Sequence, residues 1–136
     1  MGKAPRISPI RVISGVREHP LVKFCDVMPK YYITTPIYYV NDRPHIGHAY
    51  TTIAADTLAR FKRLQGFDVV FATGTDDNSE KNAISAKKQG MATREYVDQM
   101  SAVWQRTWDS MGLSVDRFIR TTEDRHIKAV NAFWKL

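Results

Sequence analysis

The chain has 136 residues, a formal net charge of +6, and 43% hydrophobic and 25% charged residues. This composition is typical of one modest globular domain with its own core. No apolar run approaches the roughly 18–20 residues of a membrane-spanning helix, so no membrane partner is expected. The single cysteine, Cys25, excludes a disulfide within the chain. The positive charge favours partners such as nucleic acid or nucleotide phosphates, although a solvated basic surface explains it equally well.

Residues 1–27 differ from the rest, with three prolines and five basic residues against only Glu18 and Asp26. They lack the long apolar stretch of a secretory signal, while an Arg-rich, acid-poor composition permits an organellar transit peptide. Met28 directly precedes the first predicted strand and would serve as an initiator. We therefore expect a dispensable extension at 1–27 and a folded domain at 28–136. The expected location is the cytoplasm or, if the extension is a transit peptide, a mitochondrion or plastid.

Hydrophobic periodicity predicts alternating strands and helices in the rest of the chain. The aromatic and β-branched run at residues 31–35 predicts a buried strand. The apolar period from Ile46 predicts a helix that Gly66 ends. The continuous apolar run at residues 69–72 is typical of a strand covered on both faces. Residues 74–79 are predicted to form a turn that leads into the next helix.

The second half of the pattern adds helices and one more strand. A helix ends near Gly90, another spans residues 93–111, and residues 118–120 form a third strand. Thr121 and Asp124 resemble a capping box that opens a last helix. The order β-α-β-α-α-β-α predicts a parallel, doubly wound α/β sheet. The tryptophans are expected to pack in the core or between domains: Trp104, Trp108 and Trp134.

His45-Ile46-Gly47-His48 lies where the loop after the first strand meets the first helix. Ligands bind to open α/β sheets at such places, where a helix N-terminus offers free N–H groups and a positive dipole end. Two histidines three residues apart share one helical face, and each can donate a hydrogen bond to a phosphate oxygen. Gly47 lets a flat base or a ribose approach the backbone. A zinc site is disfavoured because no third ligand follows at the usual spacing; a surface histidine pair stays open.

These residues resemble a known family. His45-Ile46-Gly47-His48 is similar to the HIGH signature of class I aminoacyl-tRNA synthetases. The string from Tyr32 to Asn41 closely resembles the methionyl-tRNA synthetase family within that class. Gly74-Thr75-Asp76 and residues 118–123 match further blocks of the family. The resemblance covers about residues 30–136.

The resemblance implies the first half of a Rossmann-like, class I synthetase catalytic domain. It also implies activation of methionine by ATP, accompanied by Mg²⁺, to methionyl-adenylate, followed by transfer of the methionyl group to tRNA(Met). In that reaction His45 and His48 would hold the ATP phosphates and stabilise the transition state. Gly47 would face the adenine and ribose.

For the amino acid, Ile37 and Tyr39 match positions that line the methionine pocket of the family, and Asp76 matches the acid that binds the α-ammonium group. The chemistry agrees, because a thioether is best recognised by apolar and aromatic packing and an ammonium group by a carboxylate. Each residue also has a plainer interpretation. Ile37 and Tyr39 can be packing residues, and Asp76 can cap a helix.

The sequence departs from the family pattern Gly-Thr-Asp-Glu-His-Gly, because Asp77, Asn78 and Ser79 stand at its last three positions. It also contains no KMSKS-like loop, and the last helix is still apolar at Leu136. We therefore expect a truncated chain that is inactive or barely active alone, with zinc possible only in the missing part. Two alternatives stay open: a small adenylyltransferase, and a non-catalytic synthetase fragment that binds RNA or nucleotides.

Overall fold

A computed structural model describes residues 28–136; the expected N-terminal extension and Cys25 lie outside this range. In chain order the elements are β1 (Lys30–Thr34), β2 (Tyr38–Tyr39), α1 (Ile46–Leu64), β3 (Asp68–Asp76), α2 (Glu80–Lys88), α3 (Thr93–Ser110), β4 (Arg117–Arg120) and α4 (Asp124–Phe133). Among these helices, none combines the length and the apolar character needed to cross a bilayer.

In the described part of the chain the three strand pairings are all parallel, and all of them involve β3. β1 pairs with the first part of β3 and β2 with its last two residues. β4 pairs with residues 72–75, which it shares in part with β1 and β2, so it lies along the opposite edge of β3. The predicted parallel α/β sheet is confirmed. Because parallel strands end at the same side of a sheet, the ends of β2, β3 and β4 meet there.

The sheet differs from the sequence prediction at two places. β2 is not predicted, because two residues carry no recognisable period. The predicted turn at residues 74–79 is wrong in its first half, because β3 continues to Asp76. Both β2 and β4 offer backbone partners to this part of β3, and these partners outweigh the local turn preference of Gly-Thr-Asp.

The capping box predicted at Thr121 and Asp124 is also wrong. α4 begins at Asp124 after Glu123, whose side chain makes no capping bond. The Thr121 hydroxyl instead accepts a hydrogen bond from the backbone N–H of Asp77 at 2.9 Å. The Thr121 side chain, which the local pattern assigns to the helix cap, is therefore engaged with a distant part of the chain.

Within residues 28–136 the core consists of two hydrophobic clusters. The larger one gathers around α3, where Trp104 and Trp108 are 0% and 2% exposed and pack with Tyr38 and Val40. The smaller one joins α1 to the sheet. The core position of the first two tryptophans is confirmed, whereas Trp134 is 88% exposed and belongs to neither cluster.

α1 has the predicted helical structure, but the apolar stripe that predicts it faces solvent. The exposed residues are Ile46, Tyr50, Ala54, Leu58 and Phe61. The face that packs on the sheet carries Ala55 and Ala59, whose small side chains allow a close approach to Val69 and Phe71. Periodicity therefore identifies the helix here but not the face that the sheet covers.

A buried carboxylate ties the end of β3 to the rest of the fold. Asp77 is 4% exposed, and its Oδ1 accepts hydrogen bonds at 3.0 and 3.1 Å from Thr75 and Ser101. Its Oδ2 accepts bonds at 2.8 and 2.6 Å from Arg120 and Thr122. The same guanidinium pairs with Asp98 on α3 at 2.6 Å. One side chain thus holds β3, α3 and β4 together.

We expect Asp77→Asn to lower the free energy of unfolding by about 3 kcal/mol. The change leaves the Arg120 charge without its buried partner, and the new amide N–H groups face the donors that surround this position. Urea unfolding followed by circular dichroism measures the loss. Asp109→Asn, the same change at an exposed site on α3, is the control and should cost little. Equal stability of the two variants would contradict a structural role for the buried carboxylate.

Gly74 lies opposite Ile119 in the parallel pairing of β3 and β4. A Cβ atom at Gly74 would overlap the Ile119 carbonyl oxygen and stand 2.8 Å from its carbonyl carbon. Because both neighbours are backbone atoms, we expect Gly74→Ala to destabilise the fold by about 1–3 kcal/mol. Asp124→Glu, which adds one methylene at an exposed position, should leave the urea midpoint unchanged. A Gly74→Ala variant as stable as this control would show that the strands can separate freely.

Candidate functional site

The two histidines of the HIGH-like motif form a reciprocal cap on α1. His45 is the N-cap residue, and its Nδ1 accepts a hydrogen bond from the Gly47 N–H at 3.1 Å. The His48 Nδ1 in turn accepts a bond from the His45 N–H at 3.2 Å. This is the arrangement of a capping box, with histidines in both roles. The three-residue spacing of the two histidines therefore caps the start of α1, independently of any ligand.

Gly47 lies in close contact with the His45 ring. A Cβ atom at this glycine would stand 3.0 Å from His45 Cε1 and 3.1 Å from His45 Nδ1. A larger residue would push the ring away from the helix start and weaken the cap. The small residue in the motif thus has a local reason that is independent of any nucleotide.

The hydrogen bonds assign the tautomer of both rings. Because each Nδ1 accepts a backbone N–H, the proton of each neutral ring lies on Nε2. The rings of His45 and His48 stack with centroids 3.7 Å apart and planes at 25°. The pair therefore presents two Nε2–H donors beside a helix N-terminus.

The His48 ring is held on an aromatic surface. Its centroid lies 5.0 Å from that of Tyr38 and 4.7 Å from that of Trp104. Burial lowers the pKa of His48 below its ordinary value of 6.5, and the charge of His45 lowers it further. His48 is therefore a neutral hydrogen-bond donor at pH 7.

A cleft of about 590 Å³ opens in front of the two rings, a volume within the range of small-molecule sites. The predicted pocket residues Ile37 and Tyr39 line it together with His45 and His48. The sequence prediction missed five further lining residues: Tyr38, Asn41, Asp42, Arg43 and Lys81. The Lys81 ammonium lies 5.7 Å from the centroid of the Tyr39 ring.

The missed residues had only weak signals in the sequence. Arg43 stands in a loop whose conformation no local pattern defines. Lys81 is the second residue of α2, after the N-cap Ser79, and its neighbourhood depends on β2, which the sequence does not predict. Alternation argues against Tyr38, because adjacent strand residues face opposite ways and its neighbours Ile37 and Tyr39 are the ones assigned to the pocket.

Asp76 lies at the end of β3, opposite Tyr39 in the parallel ladder, but it is not one of the residues that line the cleft. Its Oδ1 accepts bonds from the Asn78 N–H at 3.1 Å and the Thr121 hydroxyl at 3.4 Å. Within the part of the chain that the structure describes, Oδ2 stays available to another donor. Asp77 beside it is fully engaged in its buried network, so of the two acids only Asp76 can accept a ligand.

The start of α1 is also set apart by charge. Each of the other three described helices has an acidic residue in its first turn: Glu80, Glu95 and Asp124. α1 has none. An acid there would neutralise the positive end of the helix dipole, so its absence leaves that end for an anion.

Comparison with known proteins places the chain in a family. A family model described as tRNA synthetases class I (M) matches residues 31–136. The methionine–tRNA ligase of Rickettsia conorii is 54% identical over 105 residues, which are 77% of this chain and 21% of that protein. The methionine–tRNA ligase of Mesorhizobium japonicum is 51% identical over 106 residues, 78% of this chain and 20% of that protein.

Solved structures agree with the sequence relatives. The methionyl-tRNA synthetase of Mycobacterium tuberculosis in complex with methionyl-adenylate superposes with a TM-score of 0.78 at 46% identity, over 79% of this chain and 21% of that one. The leucyl-tRNA synthetase of Agrobacterium radiobacter, at 20% identity and a TM-score of 0.72, shares the fold. The chain thus spans about one fifth of the length of the curated relatives it matches.

We expect the His48 ring to titrate with a pKa below 6.5, and His45→Asn to raise that pKa part of the way back. Asparagine keeps an N-cap side chain but removes the neighbouring charge, while burial persists. Ring ¹⁵N shifts recorded across roughly pH 4–8 would measure both values. His126→Asn on α4 is the control and should leave the titration of His48 unchanged.

The sign of the linked stability follows from this shift. A folded-state pKa below the unfolded one means that the unfolded chain binds the proton more tightly. The contribution of His48 to stability is therefore complete above the unfolded pKa and is lost as the pH falls through the folded pKa. A native His48 pKa at or above 6.5 would contradict the burial of this ring.

Proposed function

The chain belongs to the class I tRNA synthetases of the methionine family, and from this membership we propose that it forms the first part of the amino acid-activating site of a methionine–tRNA ligase. One observation carries the proposal. Two histidine N–H donors at a helix N-terminus share a cleft with the apolar and aromatic side chains of Ile37 and Tyr39. Phosphate chemistry and recognition of an apolar amino acid meet in one place.

The reaction proposed for this site is adenylation. A carboxylate oxygen of methionine attacks the α-phosphorus of ATP, a new P–O bond forms, and the bond to the bridging oxygen breaks, so that pyrophosphate leaves. The products are methionyl-adenylate and pyrophosphate. The terminal hydroxyl of tRNA then attacks the methionyl carbonyl carbon and releases AMP.

His45 and His48 act on the phosphates in this scheme. Negative charge builds on the phosphoryl oxygens in the transition state, and donors fixed beforehand stabilise it without reorganisation. The two Nε2–H groups are fixed by their Nδ1 hydrogen bonds and by stacking. The N-terminus of α1 adds the partial charge of its dipole. Gly47 leaves room for the adenine and ribose beside the helix start.

Ile37, Tyr39 and Asp76 act on the amino acid. Ile37 and Tyr39 are 44% and 47% exposed and offer apolar and aromatic surface to a thioether side chain. The free Oδ2 of Asp76 accepts a charge-assisted hydrogen bond from the α-ammonium group. Its position opposite Tyr39 in the sheet supports a binding site shared by the two residues.

The partners of this activity are methionine, ATP with Mg²⁺, and tRNA(Met), and its place is the cytoplasm. The net charge of +6 suits the two polyanions. Across residues 28–136 no three His, Cys, Asp or Glu side chains are grouped to hold a metal ion. No residue is therefore assigned to Mg²⁺.

Binding of a non-hydrolysable methionyl-adenylate analogue tests the proposal. We expect titration into the ¹⁵N-labelled chain to shift the amide signals of Tyr39, His45 and Gly47. His48→Asn should weaken binding by roughly 10–100-fold, the value of a hydrogen bond to a charged group. Asp76→Asn should weaken it through loss of the ammonium partner.

Two controls define the outcome. His126→Asn makes the same change far along the chain and should bind like the native protein. The leucyl analogue should bind more weakly by roughly 10-fold or more, as expected for apolar discrimination. Equal affinity for both analogues, or shifts confined to residues outside the cleft, would refute the proposal. Salt-sensitive RNA binding without analogue binding would favour a non-catalytic RNA-binding module instead.

A further inference from the structure

The segment between β1 and α1 forms the rim of the cleft but has little backbone pairing of its own. β2 contributes only two residues to the sheet. Side chains hold the first half of the segment. The Thr35 hydroxyl lies 2.6 Å from that of Thr73, and the Tyr38 hydroxyl lies 3.0 Å from that of Thr52.

The second half of the segment is held by α3. The Tyr96 hydroxyl donates a hydrogen bond to the Asn41 carbonyl at 2.8 Å. The Trp104 indole N–H donates one to the Asp42 carbonyl at 2.9 Å. These donors lie eight residues apart, so they share one face of α3. They converge on consecutive carbonyls immediately before Arg43 and His45, which line the cleft.

Trp104 connects these loop hydrogen bonds to the histidine pair. Its ring lies 4.7 Å from His48 and 5.1 Å from Tyr38, on which it stacks. One edge of the indole therefore holds the loop backbone, while the ring also contacts the His48 ring at a tilt of 55°. Tyr96 and Trp104 are 2% and 0% exposed, so neither touches a ligand in the cleft.

We propose that Tyr96 and Trp104 are positioning residues for the cleft, which fix the carbonyls of Asn41 and Asp42 and thereby the place of His45. The inference rests on the proposed function in taking the cleft as the substrate site. Its physical content is independent of the substrate. The Tyr96 hydroxyl and the Trp104 indole N–H fix the backbone of the loop. The loop in turn places the His45 N–H, whose hydrogen bond to the His48 Nδ1 fixes the tautomer of the His48 ring.

The plainer role for two buried aromatic residues is to fill the core. The Tyr96 hydroxyl separates the two roles, because phenylalanine fills nearly the same volume and lacks the donor. A purely packing role predicts no local change in Tyr96→Phe. A positioning role predicts a loosened loop around an otherwise intact fold.

Backbone amide exchange in the 136-residue chain tests this. In Tyr96→Phe we expect exchange at Arg43, His45 and Gly47 to accelerate by roughly 5-fold, the equivalent of one neutral hydrogen bond, while β3 and α1 beyond its first turn keep their native rates. The ring ¹⁵N shifts of His48 should move toward a mixture of tautomers. Tyr31→Phe removes a hydroxyl at the start of β1 and is the matched control, with no change expected.

Trp104→Phe provides a second measurement through the ring contact. Because part of the burial of His48 is lost, its pKa should rise toward 6.5 in a variant that still gives a dispersed spectrum. If Trp104→Phe does not fold, the Tyr96→Phe result decides alone.

The outcomes separate this inference from the proposed function. Unchanged exchange at the three amides in Tyr96→Phe, or uniform acceleration over the whole chain, would overturn the positioning role. If the loop loosens in Tyr96→Phe as expected but the native protein fails to bind the methionyl-adenylate analogue, the positioning role is kept and the proposed function is rejected. Native analogue affinity in a Tyr96→Phe variant with a loosened loop would overturn the positioning role alone.

Discussion

The Asp77 carboxylate is the point on which the arrangement of β3, α3 and β4 depends. It accepts four side-chain hydrogen bonds, from Thr75, Ser101, Arg120 and Thr122, while being almost completely buried. An isolated charge in this place would be costly, and satisfaction of both oxygens together with the Arg120 charge makes it tolerable. Because the network closes only when all three elements are in place, it favours one relative position of strand and helix. The cleft is built on that position.

α3 transmits this constraint to the cleft. Asp98 and Ser101 connect the helix to Arg120 and Asp77. Tyr96 and Trp104 of the same helix reach the loop before α1. The hydrogen bond from Arg120 lowers the pKa of Asp98 below its ordinary value of 3.8, so this connection is ionised at neutral pH. The same eighteen-residue helix therefore links the buried network, the rim of the cleft and the His48 ring.

The sequence predicts the elements better than it predicts their contacts. The period from Ile46 and the glycine at 66 define α1, and the HIGH-like tetrad defines the place of the site, because these signals are local. β2 escapes prediction because its pairing with Thr75 and Asp76 is supplied by a strand far along the chain. Thr121 fails as a helix cap for the same reason. Lys81 joins the cleft only through the fold, so no spacing in the sequence could group it with His45. Arg43 is close to His45 in the chain, but the direction of its side chain depends on the loop conformation.

Neutral and charged groups have different roles in the cleft. Two imidazolium ions with centroids 3.7 Å apart at the positive end of a helix would repel each other and the dipole, and the lowered pKa of His48 reflects burial together with the His45 charge. A neutral His48 ring avoids this repulsion and still donates a hydrogen bond through its Nε2–H. The positive charge that an anionic ligand needs comes instead from Arg43 and Lys81 at the rim, where solvent reduces the cost of leaving them unpaired. Direction is thus supplied by the two ring donors that their Nδ1 hydrogen bonds hold in place, and attraction by the exposed cations, a division that allows the site to hold its shape without a bound anion.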